Sequence, residues 1–178
     1  MDFFLGSSSK FYIYLDDPEY IRFQKQLNFI LPYSVESWIN YNFSEYNIGT
    51  DFLSRMIYKG KIVYLLTKLL PHYSLQRILK FSEDEFSWCQ ENESAIWSYF
   101  IEKELLFSEQ EREFLSYLNP SPFAKGMPRE SPGCIGYFTG YQIVNNYMQR
   151  HVDLSLFDLI KKIDSHDILR KSRYKPKK

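Results

Sequence analysis

The 178-residue sequence predicts a single, mainly α-helical domain. Three observations favour it: apolar residues recur at spacings of three and four, capping signals precede several of these stretches, and prolines and glycines separate them. A chain of this length can bury a substantial core without support from a metal or a disulfide. The sequence shows no internal repeat and no dividing linker, so we expect one multi-helix domain over residues 1–178.

The N-terminal part gives the weakest pattern. Two apolar runs, FFLG and FYIYL, flank the polar SSS, and a small N-terminal β-hairpin is one expectation. Asp16 or Asp17 can cap a following helix, with Pro18 in the first turn, where proline is tolerated. Pro32 is expected to end this helix, and a second one to begin near Ser34.

The longest predicted helix runs from Thr50–Asp51 to Pro71. Its apolar residues repeat as they do in a helix with one broad buried face. Gly60 lies in the interior, where glycine costs about 1 kcal/mol relative to alanine. Either another backbone packs closely there or the glycine reflects neutral drift.

Two pairs of residues have the spacing of a capping box. Ser82 with Glu85 predicts a helix that runs to about Leu106, and Ser108 with Glu111 predicts a shorter one that ends near Leu118.

An irregular segment and three helices complete the chain. Residues 119–133 contain four prolines and two glycines, which exclude regular structure. A loop of this length in a compact domain is often functional. Helices are then predicted from Cys134 to Arg150, after Ser155, and after Ser165 as the cap of the last one.

The aromatic content is high, at 19%, with 15 Phe, 15 Tyr and 3 Trp. A core filled with rings accounts for it, and a ring-lined groove that binds a glycan or an extended peptide is the alternative. The net charge is zero, which argues against a nucleic-acid partner. The basic tail KSRYKPKK is expected to be a solvated end.

No catalytic or metal-binding set is evident. The three histidines, at 72, 151 and 166, never stand three or four apart, so no HExxH helix is present. Cys89 and Cys134 lack CxxC spacing, so a disulfide between them is possible but is not implied by the sequence. Cys134 is either a thiol activated near a helix N-terminus or a small buried residue. We therefore predict no catalytic residue, no metal ligand and no cofactor.

Glycines mark the helix after the irregular segment. Gly133, Gly136 and Gly140 are spaced three and four apart, which predicts close packing of this helix against a neighbour. The alternative is a helix that lines a cleft with polar side-chain tips. The candidate cleft residues are Pro132, Gly133, Tyr137, Tyr141 and Gln142.

Several segments, in order, carry a family resemblance. They are DFFLG, PEYI, MIYKGKIVYLLTKLLP, SWCQENESAIWSYFIEKELLFS, ESPGCIGYFTGYQIVNNYM and ILRKSRYKPKK. Together they resemble the gliding-motility-associated lipoprotein GldB family over nearly the whole chain. The resemblance implies a cell-envelope lipoprotein of Bacteroidetes-type bacteria that contacts envelope proteins of a gliding or secretion apparatus. It implies no established enzyme activity.

PGCIGYFTGYQIV is also similar to a segment of predicted zinc-dependent peptidases, which carry an HExxH helix and a later acidic ligand. In that comparison VESWINYNF corresponds to the metal helix and KGKIVY to the acidic segment. The first has no histidine, and the second has Lys59, whose ammonium offers no lone pair to a metal. The resemblance thus implies a degenerate metallopeptidase-like scaffold, with a cryptic zinc hydrolase as the alternative.

The N-terminus MDFFLGSSSKFY lacks the basic region and long apolar stretch of a signal peptide, and no lipobox cysteine follows. No apolar run approaches the roughly 20 residues that span a bilayer. We therefore expect a membrane anchor, if one is used, to lie outside this chain. The resemblance implies the periplasmic side of the cell envelope.

Overall fold

A computed structural model of the chain describes residues 3–43, 49–161 and 164–176. Helices make up 66% of it, and the described residues contain no strand, which confirms the mainly α prediction. Short 3₁₀ turns occur at Leu27–Phe29 and Leu105–Phe107. The α-helices are α1 (Lys10–Tyr14), α2 (Glu19–Phe23), α3 (Ile30–Phe43), α4 (Phe52–Leu69), α5 (Leu75–Leu79), α6 (Glu83–Glu91), α7 (Glu93–Glu102), α8 (Glu111–Leu118), α9 (Ile135–Arg150), α10 (Leu156–Lys161) and α11 (Ser165–Ser172).

Helices α4 and α9 form the centre of the fold. α4 is buried around nearly its whole circumference, as a helix that is apolar on most faces must be. It makes its largest contact with α9, and α11 packs against both. Helices α3, α5, α8 and α10 also contact α4, so most of the core lies around this one helix.

Glycines allow α4 and α9 to cross at very short range. A Cβ atom on Gly60 would lie 2.2 Å from the carbonyl carbon of Gly140, and one on Gly140 would lie 2.1 Å from the carbonyl oxygen of Met56. On Gly136 it would lie 2.9 Å from the carbonyl oxygen of Tyr117, in α8. The predicted close packing of this helix is therefore confirmed, and Gly60 is a contact residue rather than drift.

One of the two predicted capping boxes is confirmed. The Ser82 hydroxyl accepts the Glu85 N–H, and the Glu85 carboxylate accepts the Ser82 N–H. The second is wrong: Gln110 directly precedes the helix and makes no side-chain capping bond, while the Ser108 hydroxyl accepts the Gln110 N–H and donates to the Glu113 carboxylate at 2.5 Å. The helix still begins at Glu111 and ends at Leu118, as expected.

The N-terminal hairpin is unsupported, since the first four residues of FYIYL belong to α1. The Ser9 hydroxyl accepts the Phe11 N–H and starts α1 there. Pro32 was expected to end a helix and instead lies in the first turn of α3. A proline at that position removes no helical hydrogen bond, because the first N–H groups of a helix have no partner.

Two other boundaries differ from the predictions. The helix expected to run to Leu106 is broken at Asn92, whose backbone leaves the helical region and whose amide donates to the Trp88 carbonyl. The last helix is capped by Asp164, whose carboxylate accepts the Asp167 N–H, and Ser165 is its first helical residue.

The basic tail is docked rather than solvated as far as Tyr174. This side chain is buried, its hydroxyl donates to the Glu93 carboxylate at 2.8 Å, and its ring packs edge-on against Trp97. A tyrosine in the tail thus ties the C-terminal end to α7.

Candidate functional site

Three cavities lie next to one another and share residues of their walls. The middle one, the central cavity, has a volume of about 240 Å³. It shares the wall residues Gln24, Lys80 and Pro120 with a second cavity, of about 330 Å³, which we call the Ser82 cavity after another of its wall residues. It shares the wall residue Asn40 with a third cavity, of about 420 Å³, which we call the Arg55 cavity after another of its wall residues. Because neighbouring cavities share wall residues, we consider the three together and call them the cleft.

The central cavity is walled by segments that are far apart in sequence. The α3 helix supplies four residues, the end of α5 two and the start of α9 two, with one residue each from the turn after α2 and from the irregular segment. Its lining residues are Gln24, Tyr33, Glu36, Ser37, Asn40, Leu79, Lys80, Pro120, Cys134 and Tyr137.

An ion pair lies at the centre of this wall. Lys80 ends α5 in a left-handed conformation (φ +62°), and its ammonium contacts the carboxylate of Glu36. Both residues are only 8% exposed. The same ammonium lies 3.9 Å from the centre of the Tyr33 ring. Tyr33 and Glu36 are three residues apart and share a face of α3, so one lysine contacts both.

Hydroxyl groups orient the two amides that flank the central cavity. The Tyr33 hydroxyl donates to the side-chain oxygen of Gln24, and the Tyr58 hydroxyl donates to that of Asn40 at 3.4 Å. Within the part of the chain that the structure describes, neither amide nitrogen makes a hydrogen bond. Both nitrogens are therefore available as donors to a bound group.

Lys59 is a second cation of the cleft. It lines the Arg55 cavity, and its ammonium lies 5.2 Å from the centre of the Tyr137 ring. Burial lowers the pKa of Lys59, the charge of Glu36 opposes this effect, and the charge of Lys80 adds to it. Among the described residues it has no hydrogen-bonding or ion-pairing partner.

Cys134 is a half-buried thiol, not an activated one. It precedes α9 with φ +57°, and its sulfur donates to the Leu118 carbonyl at 3.7 Å. Burial raises the pKa of Cys134 to about 12, so the alternative of an activated nucleophile is wrong. Cys89 is buried, and the two cysteines form no disulfide.

The candidate cleft residues from the sequence have different positions. Tyr137 lines the central cavity and Gly133 lines the Ser82 cavity. Pro132 is buried and Gln142 half-buried, and neither is among the described residues that line the cleft. The same holds for Tyr141, whose ring packs against Tyr64 at 6.5 Å. Whether any of the five binds a ligand stays a prediction.

Sequence reasoning missed the residues that dominate the central cavity. Glu36 and Lys80 are 44 positions apart, and nothing in either local sequence indicates the pairing. The only available signal was the Tyr33–Glu36 spacing, which puts a polar pair on one face of a helix.

The three segments related above to zinc peptidases meet at this point. VESWINYNF contributes Glu36 and Asn40, KGKIVY contributes Lys59, and the PGCIGYFTGYQIV helix contributes Cys134 and Tyr137. Of the three defining residues of an HExxH helix, VESWI retains only the glutamate. Among the residues that the structure describes, no three His, Cys, Asp or Glu side chains are grouped so that they could hold a metal ion.

The family comparison agrees with the sequence resemblance. The family model for gliding motility protein GldB matches residues 1–176. The chain belongs to the GldB family. Membership associates this GldB-family chain with gliding motility and, as a lipoprotein family, with the cell envelope. No curated protein and no solved structure gives a match. No described helix of the GldB-family chain combines the length and apolarity that crossing a bilayer requires.

Proposed function

We propose that this GldB-family chain is a non-catalytic envelope protein that holds a polypeptide of the gliding or secretion apparatus in its cleft. The observation that carries the proposal is the ion pair between Glu36 and Lys80 at the centre of the cleft. It occupies the place where a peptidase-like scaffold would need a carboxylate that can act as a base.

The charges around Glu36 argue against hydrolysis. In an HExxH peptidase the glutamate accepts a proton from a metal-bound water. Here the carboxylate of Glu36 contacts one ammonium, that of Lys80, and interacts electrostatically with a second, that of Lys59. A divalent cation at this point would be repelled by both lysines. Lys59 also stands in the segment that corresponds to the acidic ligand, and an ammonium has no lone pair to offer.

The shape and lining of the cleft support a polypeptide ligand. Three cavities in series suit an extended chain better than one compact small molecule. The amides of Gln24 and Asn40 can donate to main-chain carbonyl groups, and the rings of Tyr33 and Tyr137 can pack against side chains. Both kinds of contact are general features of protein interfaces.

Two matched tryptophan variants test where the partner binds. Ser37 is exposed and lines the central cavity, whereas Ser34 is exposed on the same helix and is not among the lining residues. Ser37→Trp should block the cavity, and Ser34→Trp should not. After cross-linking in envelope extract, the same partner should be recovered with the wild type and Ser34→Trp and at least about tenfold less with Ser37→Trp.

Two measurements on the purified protein decide between binding and hydrolysis. Stoichiometric zinc, or cleavage of unstructured peptides that Glu36→Gln abolishes, would overturn the proposal and favour the cryptic hydrolase. Equal recovery of the partner by both tryptophan variants would leave the protein non-catalytic but would show that its contacts lie outside the cleft.

A further inference from the structure

Lys59 is the one cation of the cleft that we find without a counter-ion in the described part of the chain; the acidic residues Glu19 and Glu85 line the Ser82 cavity, at the other end of the cleft. Lys80 is paired with Glu36, and Arg55 is paired with Glu111 at 2.5 Å. Lys59 contacts only the face of the Tyr137 ring. Lys59 is half-buried, and a charge that is partly removed from water gains from a paired group that replaces the lost hydration.

The side chains of Glu36, Lys59 and Lys80 together carry one net positive charge. Glu36 offsets one of the two ammonium groups, those of Lys59 and Lys80, and it is already in contact with Lys80. Burial outweighs the attraction of Glu36 in lowering the pKa of Lys59, which agrees with an ammonium that lacks a direct partner. Burial raises the pKa of Cys134 and Tyr137, which interact with Lys59, and that of Tyr58, which lines the same cavity, so all three groups stay neutral. An incoming anion would thus meet an uncompensated cation.

We propose that the cleft binds a carboxylate group of the partner polypeptide, with the ammonium of Lys59 as its counter-ion. This inference rests on the proposed function, since it specifies what the polypeptide must carry. Asn40 lines both the Arg55 cavity and the central cavity, so a carboxylate on Lys59 would lie in the same cavity as the Asn40 amide, which can donate to the peptide main chain, and Gln24 offers a second donor further along the cleft.

The carboxylate has two sources, an Asp or Glu side chain and the C-terminus of a chain. Both present the same oxygen atoms to an ammonium. A library of synthetic linear decapeptides, made once with free and once with amidated C-termini, separates the two. Peptides that bind in both forms and lose binding on Asp→Asn or Glu→Gln exchange identify a side chain, whereas loss on amidation identifies the C-terminus.

Lys59→Met and Lys68→Met form the matched pair of variants. Both residues are on α4, and the ammonium group of each lies over a tyrosine ring. The Lys68 ammonium lies 4.8 Å from the centre of the Tyr64 ring, and Lys68 is exposed. Methionine keeps the length and apolar character of the lysine stem. Lys59→Met should bind the selected peptides about tenfold or more weakly, as expected for a lost charge-assisted contact, and Lys68→Met should bind them as the wild type does.

The outcomes separate this inference from the function on which it rests. A contrary result would be that some peptides bind Lys59→Met as tightly as the wild type and yet fail to bind Ser37→Trp. This result would keep the cleft as the binding site and overturn the proposal that a carboxylate pairs with Lys59. A library that yields no peptide sensitive to Ser37→Trp would overturn both. Thermal melting adds a check without ligand: Lys59→Met should melt no lower than Lys68→Met, which loses an equivalent contact with a tyrosine ring. A clearly lower melting temperature for Lys59→Met would show that the Lys59 ammonium has a further stabilising partner in the unliganded protein and would overturn the inference.

Discussion

Gly60 and Gly140 bring α4 and α9 into direct backbone contact. A Cβ atom on either residue would lie within 2.2 Å of backbone atoms of the other helix. Lys59 precedes Gly60, and Tyr137 lies one turn before Gly140, so the crossing also sets the distance between the ammonium and the ring. The same contact that holds the core together therefore positions two residues of the cleft.

Alanine at this crossing should destabilise the fold. Alanine is favoured over glycine in a helix interior by about 1 kcal/mol, but the clash requires the helices to separate. We expect Gly60→Ala and Gly140→Ala each to lower the free energy of unfolding by about 2 kcal/mol or more. Urea denaturation measures this, with Ser98→Ala on an exposed face of α7 as a neutral control. Unchanged stability of both glycine variants would contradict the close crossing.

The buried ion pair should behave as a unit. Lys80→Met leaves the Glu36 carboxylate buried without its counter-ion, and removing one partner of such a pair typically costs about 3–5 kcal/mol. The double variant Lys80→Met with Glu36→Leu should regain most of this loss. A double-mutant cycle by chemical denaturation measures the coupling, and additive losses would show that the two side chains are independent.

Tyr141 should matter for stability rather than for binding. Its ring packs against Tyr64 and is not among the described residues that line the cleft. Tyr141→Ala is expected to lower the free energy of unfolding by about 2 kcal/mol and to leave peptide affinity per folded molecule unchanged. Tyr137→Ala removes the ring beside Lys59 and should weaken peptide binding. Thermal melting and a binding titration on both variants test this, and the reverse pattern would exchange the two roles.

The C-terminal contact should contribute measurably to stability. Tyr174→Phe removes the hydroxyl that donates to the buried Glu93 carboxylate, and an unsatisfied buried acceptor costs about 1–3 kcal/mol. Tyr41→Phe, at a side chain that is 86% exposed, should be neutral within about 0.5 kcal/mol. Equal melting temperatures for both variants would show that the tail contact is not formed in solution.

Asp51 gives a prediction for acidic pH. Burial alone would raise its pKa, but hydrogen bonds from the backbone and hydroxyl of Ser54 and the interaction with His166 outweigh this and hold the pKa below 3.8. The carboxylate therefore stabilises the fold above the ordinary pKa of an unfolded aspartate, about 3.9, and this contribution is lost as the pH falls through the folded value. Asp51→Asn keeps a capping oxygen without the charge. Its deficit in unfolding free energy should be present at pH 6 and should shrink as the pH falls below the ordinary pKa of an unfolded aspartate, and a deficit that does not change with pH would contradict the assignment.

The sequence by itself determined most of the helices and the packing residues between them. Helix periodicity and capping are local properties, so the Ser82–Glu85 box and the long helix after Asp51 could be predicted from short stretches of chain. Local rules failed where two local signals competed. The Ser108 hydroxyl donates to the Glu113 carboxylate instead of accepting the Glu111 N–H, and Pro32 lies in the first turn of a helix, although it was expected to end one.

Only the tertiary structure decided the cleft. Lys80 meets Glu36 across 44 positions, and Lys59 meets Tyr137 because two glycines let α4 and α9 cross at backbone contact. Such pairings depend on how separate helices pack, which the spacing of residues along one helix does not contain. Burial, which sets the protonation of Cys134 and Tyr137, likewise exists only once those helices have come together.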